Sequence, residues 1–170
     1  MNVDNPLALY RQMVKRVIEG RLTTRIDNSS NEHAIVLIDE LVRHAKSKVD
    51  IYCKRLSIDI WGSVDVVDAI KHEIDNKVVF RILTQEAIDV SDSYNLLMNY
   101  QNAEIKQYLG ERLDINFVII DDEMFRIEPD NLTRQGFAFA RNDEYAKPVS
   151  AAFDRMWSGA DATGPTKDGE

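Results

Sequence analysis

Three kinds of residue are scarce in this chain, and each scarcity excludes something. The 170 residues hold one cysteine, Cys53, so an internal disulfide framework is excluded and a reducing compartment fits. They hold seven glycines, of which Gly159, Gly164 and Gly169 fall in the final stretch. No glycine-rich phosphate loop is hidden among the rest, and no P-loop, dinucleotide fingerprint or nucleophile elbow occurs. They hold three histidines, His33, His44 and His72, with no Cys or paired carboxylate at ligand spacing, so no metal and no cofactor are expected. Long apolar runs are missing as well: nothing approaches the ~18 residues of a membrane span. The opening MNVDNPLALYRQMVKR has an acid before its apolar residues and no long apolar core, unlike a secretory signal. These features predict a cytoplasmic protein without a membrane partner.

Positive charge is outnumbered, with 21 Lys and Arg against 29 Asp and Glu, a formal net charge of −8. That balance disfavours general attraction to phosphate backbones. A nucleic-acid contact would have to use a local patch, and the best candidate is Arg11, Lys15, Arg16, Arg21 and Arg25. The same residues read more simply as the solvated face of an N-terminal helix, and that reading is preferred. With hydrophobic residues at 44%, the length suffices to bury a single core.

Asn5-Pro6 is a helix start, and Leu9, Tyr10, Met13, Val17 and Ile18 follow at helical spacing to a stop at Gly20. Residues 21–31 are polar and read as a linker. Ile35, Ile38, Leu41, Val42 and Ala45 mark a core helix, and residues 49–56 a strand. Ser63 caps a second helix on Val66, Val67, Ile70 and Ile74, ended by Asn76; residues 78–83 form an apolar strand. A long helix from Ser91 or Ser93 to Gly110 is marked by Tyr94, Leu97, Met98, Ile105, Tyr108 and Leu109. Strands at 115–120, 124–128 and 136–140 precede a last helix on Val149, Ala152, Phe153, Met156 and Trp157, with Pro148 in its first turn or kinking it. The expected organisation is an N-terminal helix and linker over 1–31, one domain over 32–158 and a disordered tail over 159–170. The element order predicts an α/β fold with a mixed, mostly parallel sheet and helices on both faces.

Residues 114–121, DINFVIID, give the spacing D-x-N-x4-D at the end of a strand. Together with ELVRHAKSKVDIYCKRLS before it and FARNDEYAKPVSAAFDRMW after it, this stretch resembles half of a phospholipase D-like fold. That superfamily carries H-x-K-x4-D at this place, where the His attacks phosphorus and the Lys holds a phosphate oxygen. Here Asp114 stands for the His and Asn116 for the Lys, and only Asp121 is in register. The resemblance implies a phospholipase D-like sandwich with a degenerate, single motif. A strand puts Asp114 and Asn116 on one face, where a carboxylate repels a phosphodiester and an amide offers no charge. His44-Ala45-Lys46 copies the H-x-K spacing, but it ends a helix, and Asp50 is one residue too early.

Arg126 and Glu128 share a strand face, where Arg126 is a candidate anion-binding residue or one half of a salt bridge. The acidic turn at Asp121, Asp122 and Glu123 reads as a solvated hairpin, with a divalent ion as the alternative. Tyr52 and Trp61 are core residues or stacking platforms, and Asp59 lies in the loop where α/β sheets place ligands. The functional expectation is no catalytic residue and a partner-binding or regulatory subunit with a protein partner. The resemblance implies a homodimer in which Asp114, Asn116 and Arg126 approach a twofold axis. The alternatives are a divergent phosphodiesterase or nuclease, and a sensor binding a nucleotide or small anion.

Overall fold

Asn5 opens helix α1 (Pro6–Glu19): its side-chain oxygen accepts the Leu7 and Ala8 N–H groups, Pro6 takes the first helical position, and Gly20 closes the helix. The computed structural model describes residues 5–86, 97, 99–129 and 135–160. After α1 come β1 (Arg25–Asn28), α2 (Asn31–Arg43), β2 (Lys48–Cys53), the short α3 (Ile58–Trp61), α4 (Val64–Asp75) and β3 (Val79–Thr84). The second half holds β4 (Ala103–Gln107), β5 (Asn116–Ile120), β6 (Met124–Glu128), β7 (Gly136–Phe139) and α5 (Asp143–Gly159). All seven strands form one sheet in the order β1-β7-β6-β5-β2-β3-β4.

The expected α/β layering with helices on both faces is present, but the sheet is mostly antiparallel. Only β2–β3 and β3–β4 are parallel, while β1–β7, β7–β6, β6–β5 and β5–β2 are antiparallel. Connection length decides this. A helix such as α4 can carry the chain back for a parallel crossover, whereas the three-residue turn between β5 and β6 forces reversal. The register at the centre runs from Val49↔Ile120 to Tyr52↔Phe117 on one side of β2 and from Lys48↔Val79 to Cys53↔Thr84 on the other.

Strand alternation divides the core in two. On one face α1, α2, α3 and α4 pack Val14, Leu37, Leu41, Trp61 and Ile70 against Ile51, Phe80, Ile82, Val118 and Ile120. On the other, α5 packs Phe153 against Tyr52, Leu83, Phe117 and Ile119. Pro148 lies in the second turn of α5, beyond the first-turn position, and the helix continues past it to Gly159.

Three expectations from the sequence need correction. The polar stretch 21–31 is not only a linker, because Arg25–Asn28 is the edge strand β1, with Ile26 and Asn28 buried. The helix expected to run to Gly110 does not, because Ala103–Gln107 is strand β4, paired parallel to β3. Ala, Glu, Lys and Gln favour helix, but β3 offers an open hydrogen-bonding edge, and Asn102 fixes the entry by donating to the carbonyls of Ile74 and Val78. The expected helix start at Ser91 or Ser93, with Tyr94 and Met98, lies outside the described residues, as does the tail from 161. Third, Ser63 sits at the start of α4 but makes no side-chain cap; its hydroxyl donates to the Ile60 carbonyl. No helix among the described residues is long and apolar enough to cross a membrane.

Arg11 fastens α1 to the domain. Its guanidinium bonds Asp39 and, at 2.7 Å, Glu40 on α2, and reaches Asp65 on α4 at 2.9 Å. Asp39 and Glu40 are each 1% exposed, and Glu40 Oε2 has no partner among the described residues. Arg43 still bonds Asp39 at 2.7 Å, which leaves Glu40 dependent on Arg11. Arg11→Met is therefore expected to cost about 3 kcal/mol in chemical denaturation, since it strands a buried carboxylate. A loss within error would show that Glu40 does not depend on Arg11 in the folded protein.

Candidate functional site

At one end of the sheet the start of β5 lies between the ends of β2 and β6. A cavity of about 290 Å³ opens there, walled by Ile38 of α2 and by Ile60 and Trp61 of α3, and floored by Cys53, Asn116, Val118, Arg126 and Glu128. Lys54, Arg55, Ser57 and Glu86 stand around it.

Its polar floor is a chain of hydrogen bonds that runs from β1 through β6 and β5 to the residue after β2. Asn28 Oδ1 on β1 accepts Arg126 Nε at 3.1 Å, and Arg126 Nη2 donates to Glu128 Oε2 at 3.0 Å. Glu128 Oε1 accepts Asn116 Nδ2 at 3.2 Å, and Asn116 Oδ1 accepts the backbone N–H of Lys54, just past β2, at 3.0 Å. Asn28 and Arg126 are 2% exposed and Glu128 4%. Charges so deeply removed from water persist only when paired and hydrogen-bonded, and here each is.

The motif positions separate in space. Asn116 opens β5 and its amide is held from both sides by this chain. Asp114 does not share a strand face with it: Asp114 is exposed in a bend before the strand and does not line the cavity. The cause is Leu113, whose N–H donates to Tyr52 Oη at 3.2 Å and whose carbonyl accepts Gln85 Nε2. With Leu113 pinned to the core, the chain turns at Asp114 before it can join the sheet.

Asp121 lies at the far end of β5. Its Oδ1 accepts the N–H groups of Ser47 and Lys48, each at 2.9 Å, and the Ser47 hydroxyl at 2.6 Å; its Oδ2 accepts the Lys46 N–H at 2.7 Å. Burial alone would raise its pKa, but these bonds outweigh burial and hold the carboxyl below its usual range. Asp122 behaves likewise, with burial opposed by Lys48 at 2.8 Å and by the Ser150 hydroxyl. Both residues have positive φ, a conformation Asp tolerates in turns. The acidic turn thus directs its carboxylates at protein donors.

The histidines stay outside the cavity. His33 stacks on Tyr10 at 4.1 Å, His44 Nδ1 lies 2.7 Å from the Glu40 carbonyl at the end of α2, and His72 Nδ1 lies 2.7 Å from Glu73 Oε1. The H-x-K look-alike is therefore a helix terminus. Tyr52 is fully buried and bonds Gln85, whereas Trp61 is buried and also lines the cavity. Asp59 is exposed on α3. Of the candidate basic patch, Arg11 is held as described, Arg21 pairs with Glu123 at 2.9 Å, and Arg25 pairs with Asp27 at 2.7 Å and lies over Phe137; Lys15 and Arg16 are exposed. Sequence reasoning missed Asn28 and Gln85. Neither stands in a motif, and only the tertiary fold brings them to the site.

No protein-family model matches the sequence, and no curated protein does. Solved structures do match. NucT from Helicobacter pylori superposes with a TM-score of 0.64 at 12% identity, covering 82% of this chain and 100% of that one. Nuc from Salmonella typhimurium, a phospholipase D family member, gives 0.56 at 14% identity over 75% of this chain and 89% of that one. TrmBL2, an archaeal chromatin protein with a novel mode of DNA binding, gives 0.62 at 14% identity. That match covers 82% of this chain and 53% of TrmBL2, so the chain spans about half of its length. The fold is phospholipase D-like.

Two solution properties follow from the site. Asp121 and Asp122 have folded pKa values below their unfolded ones, so their stabilisation is full above roughly pH 4 and is lost as pH falls through the folded values. Asp121→Asn should flatten the acid limb of a stability-against-pH curve and cost about 2 kcal/mol at pH 7; an unchanged acid limb would contradict this role. Burial, with Glu128 adding, pushes the Cys53 thiol up to about 12. Native protein at pH 8 should resist a thiol reagent that labels it at once in denaturant; rapid native labelling would contradict the buried position.

Proposed function

We infer that this chain is a non-catalytic phospholipase D-like domain that works by binding, as a partner-binding or regulatory subunit. One observation carries the reading: the residue at the phosphate-holding position, Asn116, has its amide fixed between the Lys54 N–H and Glu128, while every histidine of the chain lies on another part of the molecule. Histidine nucleophilic and general-acid chemistry needs an imidazole within reach of the phosphorus. Nucleic acid is the less favoured partner, despite the likeness to a DNA-binding chromatin protein, because three of the five candidate basic residues are engaged with carboxylates.

The homodimer belongs to the same reading. Arg126 is too buried to meet another protein surface, so the contact would use the exposed apolar residues of α3 and the start of α4, Ile58 at 58% exposure and Val64 at 74%. Light scattering at tens of micromolar is expected to give a dimer, and Ile58→Asp/Val64→Asp a folded monomer. A wild-type monomer would remove the homodimer, and a double variant that stays dimeric would move the interface elsewhere.

Incubation with bis-p-nitrophenyl phosphate, single-stranded DNA and phospholipid, with and without divalent metal, is expected to give no turnover above blank. Turnover that persists through two purification columns and is lost on substituting a histidine would overturn the non-catalytic reading.

A further inference from the structure

The floor of the cavity holds a cation that its neighbours do not fully use. Arg126 has five N–H groups; Nε serves Asn28 and Nη2 serves Glu128, while Nη1 has no partner among the described residues. The side-chain polar atoms sealed in the described interior without a partner are Glu40 Oε2 and Thr84 Oγ1, so Arg126 Nη1 is not sealed in. It opens on space, and the described cavity that Arg126 lines is the cleft beside Trp61.

Charge and shape define what would fit. The lining carries three cations, Lys54, Arg55 and Arg126, against two carboxylates, Glu86 and Glu128, which leaves one positive charge. Lys54 pairs with Glu86 at 3.4 Å and Arg126 with Glu128 at 3.0 Å. A monoanion is thereby matched, whereas a dianion meets the carboxylates and the chain's net charge of −8. The free Nη1 of a guanidinium donates a charge-assisted hydrogen bond that suits a carboxylate oxygen. The lining is apolar at Ile38, Ile60 and Trp61 of the walls and at Val118 of the floor, and 290 Å³ lies just below the ~300–1,000 Å³ of small-molecule sites.

We propose that this cleft binds a small monocarboxylate, with its carboxylate on Arg126 Nη1 and its apolar body against Ile60 and Trp61. The proposal rests on the reading of the cleft as a binding site and names what it binds.

Benzoate is a suitable probe, read by Trp61 fluorescence in a Trp157→Phe background, where Trp61 is the remaining tryptophan. Saturable binding in the millimolar range or tighter is expected for benzoate and none for benzamide, its neutral counterpart. Dimethyl phosphate and inorganic phosphate should bind about tenfold more weakly. Arg126→Gln/Glu128→Gln removes both buried charges together and should weaken benzoate about tenfold or more without a new unpaired ion. Failure of benzoate to saturate, equal binding of benzamide, tighter binding of dimethyl phosphate, or undiminished binding to the folded double variant would overturn the proposal. If the double variant does not fold, the benzoate and benzamide pair decides alone. Absence of benzoate binding without any turnover leaves the non-catalytic reading standing, whereas histidine-dependent turnover with benzoate bound removes that reading and keeps the site.

Discussion

The ion pair between Arg126 and Glu128 is the constraint on which the cleft depends. Two charged side chains on one strand face, 2% and 4% exposed, are tolerated there only when paired with each other and hydrogen-bonded to their neighbours. Asn28 takes one N–H of the guanidinium and Asn116 gives one hydrogen to the carboxylate, so an edge strand and a central strand are bound to the same pair. Gly136 permits the close approach: a side-chain carbon there would lie 2.6 Å from the Ile127 carbonyl and 3.2 Å from Arg126 Nη2. This chain of bonds carries the fold's geometry into the cavity.

A second ionic assembly does comparable work on the opposite face. Arg81 makes two 2.7 Å bonds to the fully buried Asp50 and one of 2.8 Å to Asp154 on α5, and lies over the rings of Phe153 and Trp157. Burial alone would weaken this guanidinium's hold on its proton, but the bond to Asp50 exceeds that effect and its pKa rises. The final helix is thus fastened to the strands by charge as well as by Phe153. The two assemblies explain why Glu128 and Asp50 stay inside: each serves an arginine that ties two elements.

Much of the fold was legible because its signals are local. Asn5-Pro6 and Gly20 bracket α1, the periodic Ile and Leu residues mark α2 and α4, and Met124–Glu128 stands where alternation places it. What was not legible depends on pairing. Strand β1 offers only Ile26 as an apolar residue in a polar run, and β4 is written in helix-favouring residues; both exist because a sheet edge accepts them. The antiparallel bias likewise follows from short connections rather than from composition. At the site, the replaced motif was readable at Asp114, Asn116 and Asp121, and so was the shared face of Arg126 and Glu128. That Asp114 turns away, that Asn28 completes the floor and that Asp121 caps the entry to β2 could not be read, because each depends on residues distant in the chain.

The most direct test of this account is a double-mutant cycle on Arg126 and Glu128, with each changed to its uncharged amide-bearing counterpart, Gln, and stability followed by denaturant unfolding. A buried, mutually dependent pair predicts that either single change costs more than the double, with a coupling of about 2 kcal/mol or more. Additive single effects would contradict it, since they would mean that the two side chains sit near each other without the cleft depending on their pairing.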